Sequence, residues 1–314
     1  MQGYFSQLFD SLSLPLTQFL NPDSRLHLLY LISSLLIAII FLWSQGKIKN
    51  SINYLFPKSI WLHPSARIDY FVFIINIIFI SLLIIPFIIT TTEVFSTSYK
   101  MLQSIFGPRN LIEMSSSTTL ILYTILLWLV GDFTRFLTHY LMHKIPFLWE
   151  FHKVHHSAEV LTPITQYRSH PVEVILFNLR SVISIGFVTA LCTYFFSYEL
   201  NLFEVMSINV FRFIFLALGS NLRHSHIPIT YGKWLEYIFI SPAQHQIHHS
   251  NDPKHFDTNM GSHLAIWDWI FGTLQHASKA TKLVFGLDEK TKIEHRKLWK
   301  VYLVPFLKAI RKNP

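Results

Sequence analysis

Five long apolar stretches limit how this chain can fold, because each approaches the length needed to cross a lipid bilayer. About twenty helical residues, rising 1.5 Å each, span the ~30 Å hydrocarbon core. Only 14% of the residues are charged, against roughly 25% in an average soluble domain. The sequence therefore predicts an all-α polytopic membrane protein with about four to five transmembrane helices. The stretches are residues 26–43, 68–90, 118–143, 174–196 and 200–219, the last two separated by a predicted hairpin turn at 197–199.

Lysine and arginine are distributed unequally between these stretches. Residues 44–67 carry four basic and no acidic side chains, and the chain after residue 221 carries thirteen basic and seven acidic ones. Short basic segments stay on the cytoplasmic side of a membrane. With five crossings, residues 139–173 would lie on that same side, in a bacterial inner membrane or the endoplasmic reticulum. The net charge of +8 is then explained by topology, and no nucleic-acid partner is expected.

No repeat, low-complexity tract or glycine-serine linker divides the chain, which predicts a single membrane-embedded domain over residues 1–314. Within it we distinguish N-terminal transmembrane helices in 1–117, a histidine-rich region in 118–275 and a basic cytoplasmic tail in 276–314. The tail interleaves aromatic and basic residues, a pattern that favours contact with anionic lipid head groups.

Histidine is the residue type that indicates a metal-binding site. The chain has 17 histidines, and fourteen of them lie between His139 and His276. On a helix, residues spaced i, i+3 and i+4 lie on the same side, so three clusters predict three helix faces rich in imidazole. Eight imidazoles exceed what one metal ion needs and indicate two ions in a cytoplasmic helical cap. The clusters are His139 and His143; His152, His155 and His156; and His245, His248 and His249.

Local signals place these clusters on helices. The third apolar stretch continues beyond its apolar part and carries His139 and His143 past the expected membrane surface. The segment 241–244, Ser-Pro-Ala-Gln, has the pattern of a capping box with proline at the first helical position, which predicts a short helix bearing the last cluster. Cys192 is the single cysteine, so neither a cysteine zinc site nor an intramolecular disulfide can form.

Imidazole binds iron, zinc, copper and nickel, so the pattern alone leaves three classes of protein open. An oxidoreductase would hold two ions at the ends of the membrane helices. A histidine-rich metal transporter would need ligands near the middle of the bilayer. A haem electron carrier would need only pairs of histidines on facing helices.

The order of the three clusters, HxxxH, HxxHH and HxxHH with membrane helices between them, resembles the fatty acid hydroxylase and sterol desaturase superfamily of membrane di-iron enzymes. The resemblance covers about residues 125–275. It includes an acidic position at Asp132, a histidine-proline element at 168–173, a short histidine element beginning at His224, and the closing segment 264–273. Residues 232–273 are most similar to alkylglycerol monooxygenases and bacterial sterol-desaturase-like proteins.

The resemblance implies a lipid oxidoreductase that uses two iron ions and O₂ to hydroxylate or desaturate a C–H bond of a sterol, fatty acyl or alkylglycerol-type lipid. It implies an electron donor that the sequence does not identify. The metal centre itself would carry out the oxidation, and Asp132 would orient a ligand imidazole. Zinc can replace iron in purified protein, since it binds such sites more tightly. The implied ligands are His139, His143, His152, His155, His156, His170, His224, His245, His248 and His249.

Overall fold

A computed structural model describes residues 13–83, 89–108, 112–196, 210–277 and 283–311. These residues form α-helices joined by short 3₁₀ turns, with three isolated β-bridges and no strand. The predicted all-α fold is confirmed for this part of the chain. The α-helices are Leu28–Ser44, Ser51–Leu55, Lys58–Trp61, Pro64–Leu83, Thr91–Phe106, Ser116–Lys144, Pro146–His156, Pro171–Phe195, Val210–Ala217, Pro242–His248, Ile266–Phe271, Glu289–His295 and Leu298–Arg311.

Two of these helices, Ser116–Lys144 and Pro171–Phe195, are long and apolar enough to cross a membrane. The pair Ile48–Trp61 and Pro64–Ile80 is bent by 80° and adds a third span if it crosses as one broken unit. The helix Leu28–Ser44 is apolar but has only 17 residues. The expected count of four to five spans is therefore met only in part. The predicted hairpin turn at 197–199, and the first half of the fifth stretch (200–209), lie outside the described residues.

The first two histidine clusters sit on consecutive helices separated by a sharp turn. The helix Ser116–Lys144 continues well past its apolar part, as predicted, and ends at Ile145. Pro146 then occupies the first turn of the next helix. Proline disfavours helical geometry in the residue before it, so the chain turns at Ile145. The helix Pro146–His156 packs back against the end of its predecessor.

The last cluster lies on the short helix that the sequence predicts. The Ser241 side chain accepts a hydrogen bond from the Gln244 backbone N–H, and the Gln244 side chain accepts one from the Ser241 backbone N–H. Pro242 fills the first turn of the helix Pro242–His248. This capping box satisfies buried donors that a seven-residue helix would otherwise leave unpaired. The start of the helix, and with it the position of the cluster, is thereby fixed.

A glycine lets an amphipathic helix approach the second membrane helix closely. A Cβ atom added at Gly186 would lie 2.8 Å from the Cβ of Val94 and 2.9 Å from the Thr91 carbonyl oxygen. Real Cβ atoms are almost never this close to other heavy atoms. The helix Thr91–Phe106 therefore packs against Pro171–Phe195 with backbone nearly in contact.

We predict that Gly186→Ala lowers the thermal unfolding midpoint in detergent, because the two helices must move apart to make room for the methyl group. The expected loss in free energy of unfolding is about 1–3 kcal/mol. Gly131→Ala is the matched control, since Gly131 also lies in a membrane helix and its added Cβ meets nothing within 4 Å. The control midpoint should stay constant or rise, as alanine is the better helix former. Equal midpoints for the two variants would contradict the close packing.

Candidate metal centre

Nine of the ten predicted ligands converge in two groups. Within each group, one candidate ligand atom from every histidine lies within 4.8 Å of the others. The groups adjoin each other, since the ring centroids of His156 and His249 are 4.6 Å apart and those of His248 and His249 are 5.3 Å apart. Group one is His139, His143, His152, His156 and His248, and group two is His155, His224, His245 and His249.

Each HxxHH cluster divides between the two groups by the same rule. The first and fifth residues enter one group and the fourth enters the other: His152 and His156 join group one while His155 joins group two. The last cluster does the reverse, with His248 alone in group one. Successive helical residues are rotated by about 100°, so neighbouring histidines diverge while i and i+4 nearly coincide. Each HxxHH cluster therefore supplies ligands to both groups, so its three histidines do not share one helix face.

In group two, four Nε2 atoms crowd around one point. The Nε2 of His224 lies 3.2 Å from that of His155 and 3.1 Å from those of His245 and His249. A ring nitrogen carries either one hydrogen or one lone pair, so His224 cannot satisfy three such contacts as hydrogen bonds. A cation among the lone pairs removes this conflict. Nitrogens held about 2.0–2.1 Å from one ion are about 3.0–3.4 Å apart, which the contacts match.

In group one, acceptors outside the group lie at the Nδ1 side of four rings. The Nδ1 of His139 lies 2.8 Å from the Met260 carbonyl oxygen, and that of His248 lies 2.7 Å from the Thr258 carbonyl oxygen. Carboxylates of Asp257 and Glu173 lie 3.3 Å and 3.2 Å from the Nδ1 of His143 and His152. An Nδ1 hydrogen shared with such an acceptor leaves the Nε2 lone pair free for a metal ion. The Nε2 atoms of His143, His156 and His248 have no partner among the described residues.

Burial keeps these imidazoles neutral. Desolvation lowers the pKa of His152 to about 3 and that of His155 to about 4. Desolvation together with the neighbouring imidazoles also lowers the pKa of His245 and His249 well below the usual value. Neutral imidazole is the form that binds metal. The donor set, nitrogen only and buried, therefore fits two ions of the kind that imidazole prefers.

His170, the tenth predicted ligand, lies outside both groups. Its Nδ1 accepts a hydrogen bond from the Val172 backbone N–H and caps the helix Pro171–Phe195. Its Nε2 then donates to the Tyr302 carbonyl oxygen at 3.0 Å. Both ring nitrogens are used by the backbone, so none is left for a metal. His170 ties the start of a membrane helix to the C-terminal helix.

Asp132, predicted to orient a ligand imidazole, lies behind the loop that contacts group one. Its carboxylate accepts hydrogen bonds from the backbone N–H groups of His263 and Leu264 and from the Trp267 indole. Asp268 accepts in the same way from the backbone N–H groups of Met260 and Gly261. Together the two carboxylates fix the loop that holds the Met260 carbonyl against His139.

The remaining histidines of the region take other roles. His226 lies 2.6 Å from the Tyr54 carbonyl oxygen, and His263 accepts a hydrogen bond from the Trp128 indole. Glu173 and Asp257 are the positioning groups that sequence reasoning missed. Glu173 closes the histidine-proline element and could have been found there. Asp257 gives no local signal, because it meets His143 only through the tertiary fold.

A partly enclosed cavity of about 380 Å³ lies beside both groups. Histidines from group one and group two line it, together with four arginines and two carboxylates. A molecule in this cavity would therefore lie among histidines of both groups and charged side chains. The lining histidines are His139, His152, His155, His224 and His245.

The comparison with protein families agrees with this geometry. Residues 124–273 match the model described as fatty acid hydroxylase, and the match spans every histidine of the two groups. This part of the chain is thus similar to the fatty acid hydroxylase family, and the resemblance stated from the sequence is confirmed.

Individual relatives are lipid-modifying enzymes by name. Alkylglycerol monooxygenase of Caenorhabditis elegans is 24% identical over 190 residues, 58% of this chain and 34% of the relative. Ornithine lipid hydroxylase of Rhizobium tropici is 28% identical, covering 51% and 44%, and human cholesterol 25-hydroxylase is 30% identical, covering 50% and 52%. The chain spans between about a third and about a half of the length of these relatives. No solved structure gives a significant match.

We predict that the metal-free protein loses stability as the pH falls from about 6.5 toward 4. Below about pH 6.5 histidines of the unfolded chain take up protons, whereas His152 and His155 in the fold stay neutral until pH 3–4. Each such histidine lowers the free energy of unfolding by roughly 1.4 kcal/mol per pH unit over that window. Above pH 7 these histidines do not make the free energy of unfolding depend on pH. Thermal unfolding at several pH values measures this, and His152→Gln should give a shallower slope. A flat profile between pH 6.5 and 4.5 would contradict neutral burial.

Proposed function

We propose that this protein is an iron- and O₂-dependent lipid oxidoreductase that hydroxylates or desaturates a C–H bond of a membrane lipid. The observation that carries the proposal is the convergence of nine neutral imidazoles, seven of them buried and two half-buried, in two adjoining groups near the end of the membrane-length helix Ser116–Lys144. The family match and the names of the relatives support the same reaction class.

The nine histidines of the two groups are the proposed ligands, with each group holding one iron ion. Two bound irons would supply the activation of O₂ that oxidation of an unactivated C–H bond requires. The protein's own part is to hold neutral imidazoles with their Nε2 atoms converging. In group one, Met260, Thr258, Asp257 and Glu173 lie at the Nδ1 side of four rings, which favours rings oriented with Nε2 toward the metal position. An electron donor, not identified by the sequence, completes the reaction.

The arrangement favours this reading over the two rival classes. A transporter would place its ligands near the middle of the bilayer, whereas group one draws on the last two turns of the helix Ser116–Lys144. A bis-histidine haem carrier needs one pair of imidazoles on opposite sides of a flat macrocycle. Here the four Nε2 atoms of group two lie about 3 Å apart, which leaves no room for a haem between them.

We also propose that the histidine centre faces the cytoplasm. The basic segment 44–67 and the basic C-terminal region support this orientation through the positive-inside rule. The histidine centre combines histidines that directly follow the helix Ser116–Lys144 with histidines of the C-terminal region. These two parts of the chain therefore lie on the same side of the membrane. Lipid substrate would then reach the centre from the cytoplasmic leaflet.

The ligand assignment predicts different results for two histidine variants. His248→Ala removes a buried ligand from group one and should lower bound metal from about two ions per chain. His170→Ala is the control. It should keep both ions and lower only the free energy of unfolding, by roughly 1–3 kcal/mol for the lost backbone contacts. A lower unfolding midpoint would show this loss. Metal content and thermal unfolding of purified, iron-loaded protein measure both. Loss of metal in His170→Ala, or full metal in His248→Ala, would contradict the assignment.

The reaction predicts a mass change in lipid. Iron-loaded protein supplied with a reductant, ¹⁸O₂ and a total lipid extract should give one of two signatures. Hydroxylation adds one ¹⁸O atom to the product, and desaturation gives a product two hydrogens lighter without label. His248→Ala should give neither. If the wild-type protein holds two irons, accepts electrons and still changes no lipid, the oxidoreductase proposal is wrong.

A further inference from the structure

The cavity beside the histidine centre carries more positive charge than the described residues neutralise. Four arginines line it: Arg25, Arg135, Arg212 and Arg223. The lining contains only two carboxylates, those of Asp23 and Glu173. Each carboxylate already has a close partner. Asp23 bonds Arg212 at 2.8 Å, and Glu173 lies 3.2 Å from His152.

Three arginines are therefore left without a carboxylate within 4.0 Å in the described part of the chain. The Arg25 guanidinium donates to the amide oxygen of Gln166 at 3.5 Å. Arg135 lies over the Phe177 ring at 4.6 Å. Arg223 is buried and donates to the carbonyl oxygens of Ser220 and Ser262.

Uncompensated charge of one sign in a buried or half-buried site is unfavourable, and the arginines repel one another. Burial, followed by repulsion from Arg223 and Arg135, lowers the pKa of Arg25 well below its usual value. Proteins keep such a cluster where an anion binds, because guanidinium groups form paired, charge-assisted hydrogen bonds with phosphate and carboxylate. The cluster faces a cavity large enough for a small head group.

The cavity also lies at the level where lipid head groups lie. Arg135 belongs to the last three turns of the helix Ser116–Lys144, and Phe177 to the first two turns of Pro171–Phe195. The ends of membrane-spanning helices meet the polar layer of the bilayer. Beside Arg212, the helix Val210–Ala217 exposes 38% of Phe213 and 47% of Ile214, which offers apolar surface to an acyl chain.

We propose that this cavity binds the anionic head group of a lipid, phosphate or carboxylate, with Arg25 and Arg135 as its counter-charges. The inference rests on the proposed function in one respect: the bound lipid would be the substrate, since histidines of both groups line the same cavity. It predicts that anionic lipids bind in preference to neutral lipids with the same chain.

Competition binding on the detergent-solubilised, metal-loaded full chain tests this. Radiolabelled 1-oleoyl-lysophosphatidate is displaced by unlabelled lysophosphatidate, oleate, mono-oleoylglycerol or glycerol 3-phosphate. We expect lysophosphatidate or oleate to bind at least tenfold more tightly than mono-oleoylglycerol. Glycerol 3-phosphate, which lacks a chain, should compete at least tenfold more weakly than the anionic lipids. If it competes equally, the cavity binds a soluble anion and the lipid assignment is overturned.

Arginine variants test whether the preference for anionic lipids comes from this cavity. Arg135→Gln and Arg25→Gln should each weaken anionic lipid binding about tenfold and leave mono-oleoylglycerol unchanged. Arg67→Gln, at an exposed arginine away from the cavity, is the matched control and should bind as wild type. Metal content and elution profile verify that each variant is folded. Equal affinity of wild type for anionic and neutral lipids, or unaltered anionic binding in both folded cavity variants, overturns the proposal.

The outcome is separable from the proposed reaction. If neutral lipids alone are oxidised with ¹⁸O₂, the anionic-head inference fails while the oxidoreductase proposal stands. If anionic lipids bind in an arginine-dependent way and no lipid is oxidised, the inference stands and the proposed reaction fails.

Discussion

Crowded lone pairs are the interaction on which the rest of this structure depends. Nine neutral imidazoles are held with ring nitrogens facing one another, and in group two these nitrogens are only 3.1–3.3 Å apart. Such an arrangement is unfavourable unless a cation lies among the nitrogens. The fold must therefore hold the rings in place from outside, and much of the buried polar structure around the centre does so.

The supporting structure has two levels. Thr258, Met260, Asp257 and Glu173 contact the rings of group one directly. Behind them, Asp132 and Asp268 bind backbone N–H groups of the loop that contains Met260. A carboxylate on the first membrane helix thus controls a histidine seven residues away through a loop more than 120 residues later in the chain. Substitution of a residue in either set should position the histidine rings less precisely without removing a ligand.

The sequence predicted what depends on local periodicity. Regular spacing identified the helix faces that carry the histidines, and Ser241, Pro242 and Gln244 identified the start of the last short helix. The division of each HxxHH cluster between two groups was not predicted, because the spacing was interpreted as one shared helix face; the 100° rotation between successive helical residues explains it. Eight of the nine gathered histidines come from these clusters. His224 came only from the resemblance to a family, since no local pattern distinguishes it from His226.

Errors and omissions arose where contacts link distant segments. His170 was expected to bind metal, but the Tyr302 carbonyl, 132 residues later, occupies one ring nitrogen. Asp132 was expected at an imidazole and instead binds backbone donors. The four arginines of the cavity lie at positions 25, 135, 212 and 223, so no sequence window reveals it. The number of membrane spans was predicted from apolar length, which cannot distinguish a straight helix from the bent pair Ile48–Trp61 and Pro64–Ile80.

The central claim is that the two histidine groups are two separate metal positions. Anomalous diffraction from crystals of the iron-loaded protein, collected on either side of the iron absorption edge, tests it most directly. The account predicts two anomalous peaks per chain: one among His139, His143, His152, His156 and His248, and one among His155, His224, His245 and His249. A single peak shared by both groups, or a peak bound to His170, would contradict it.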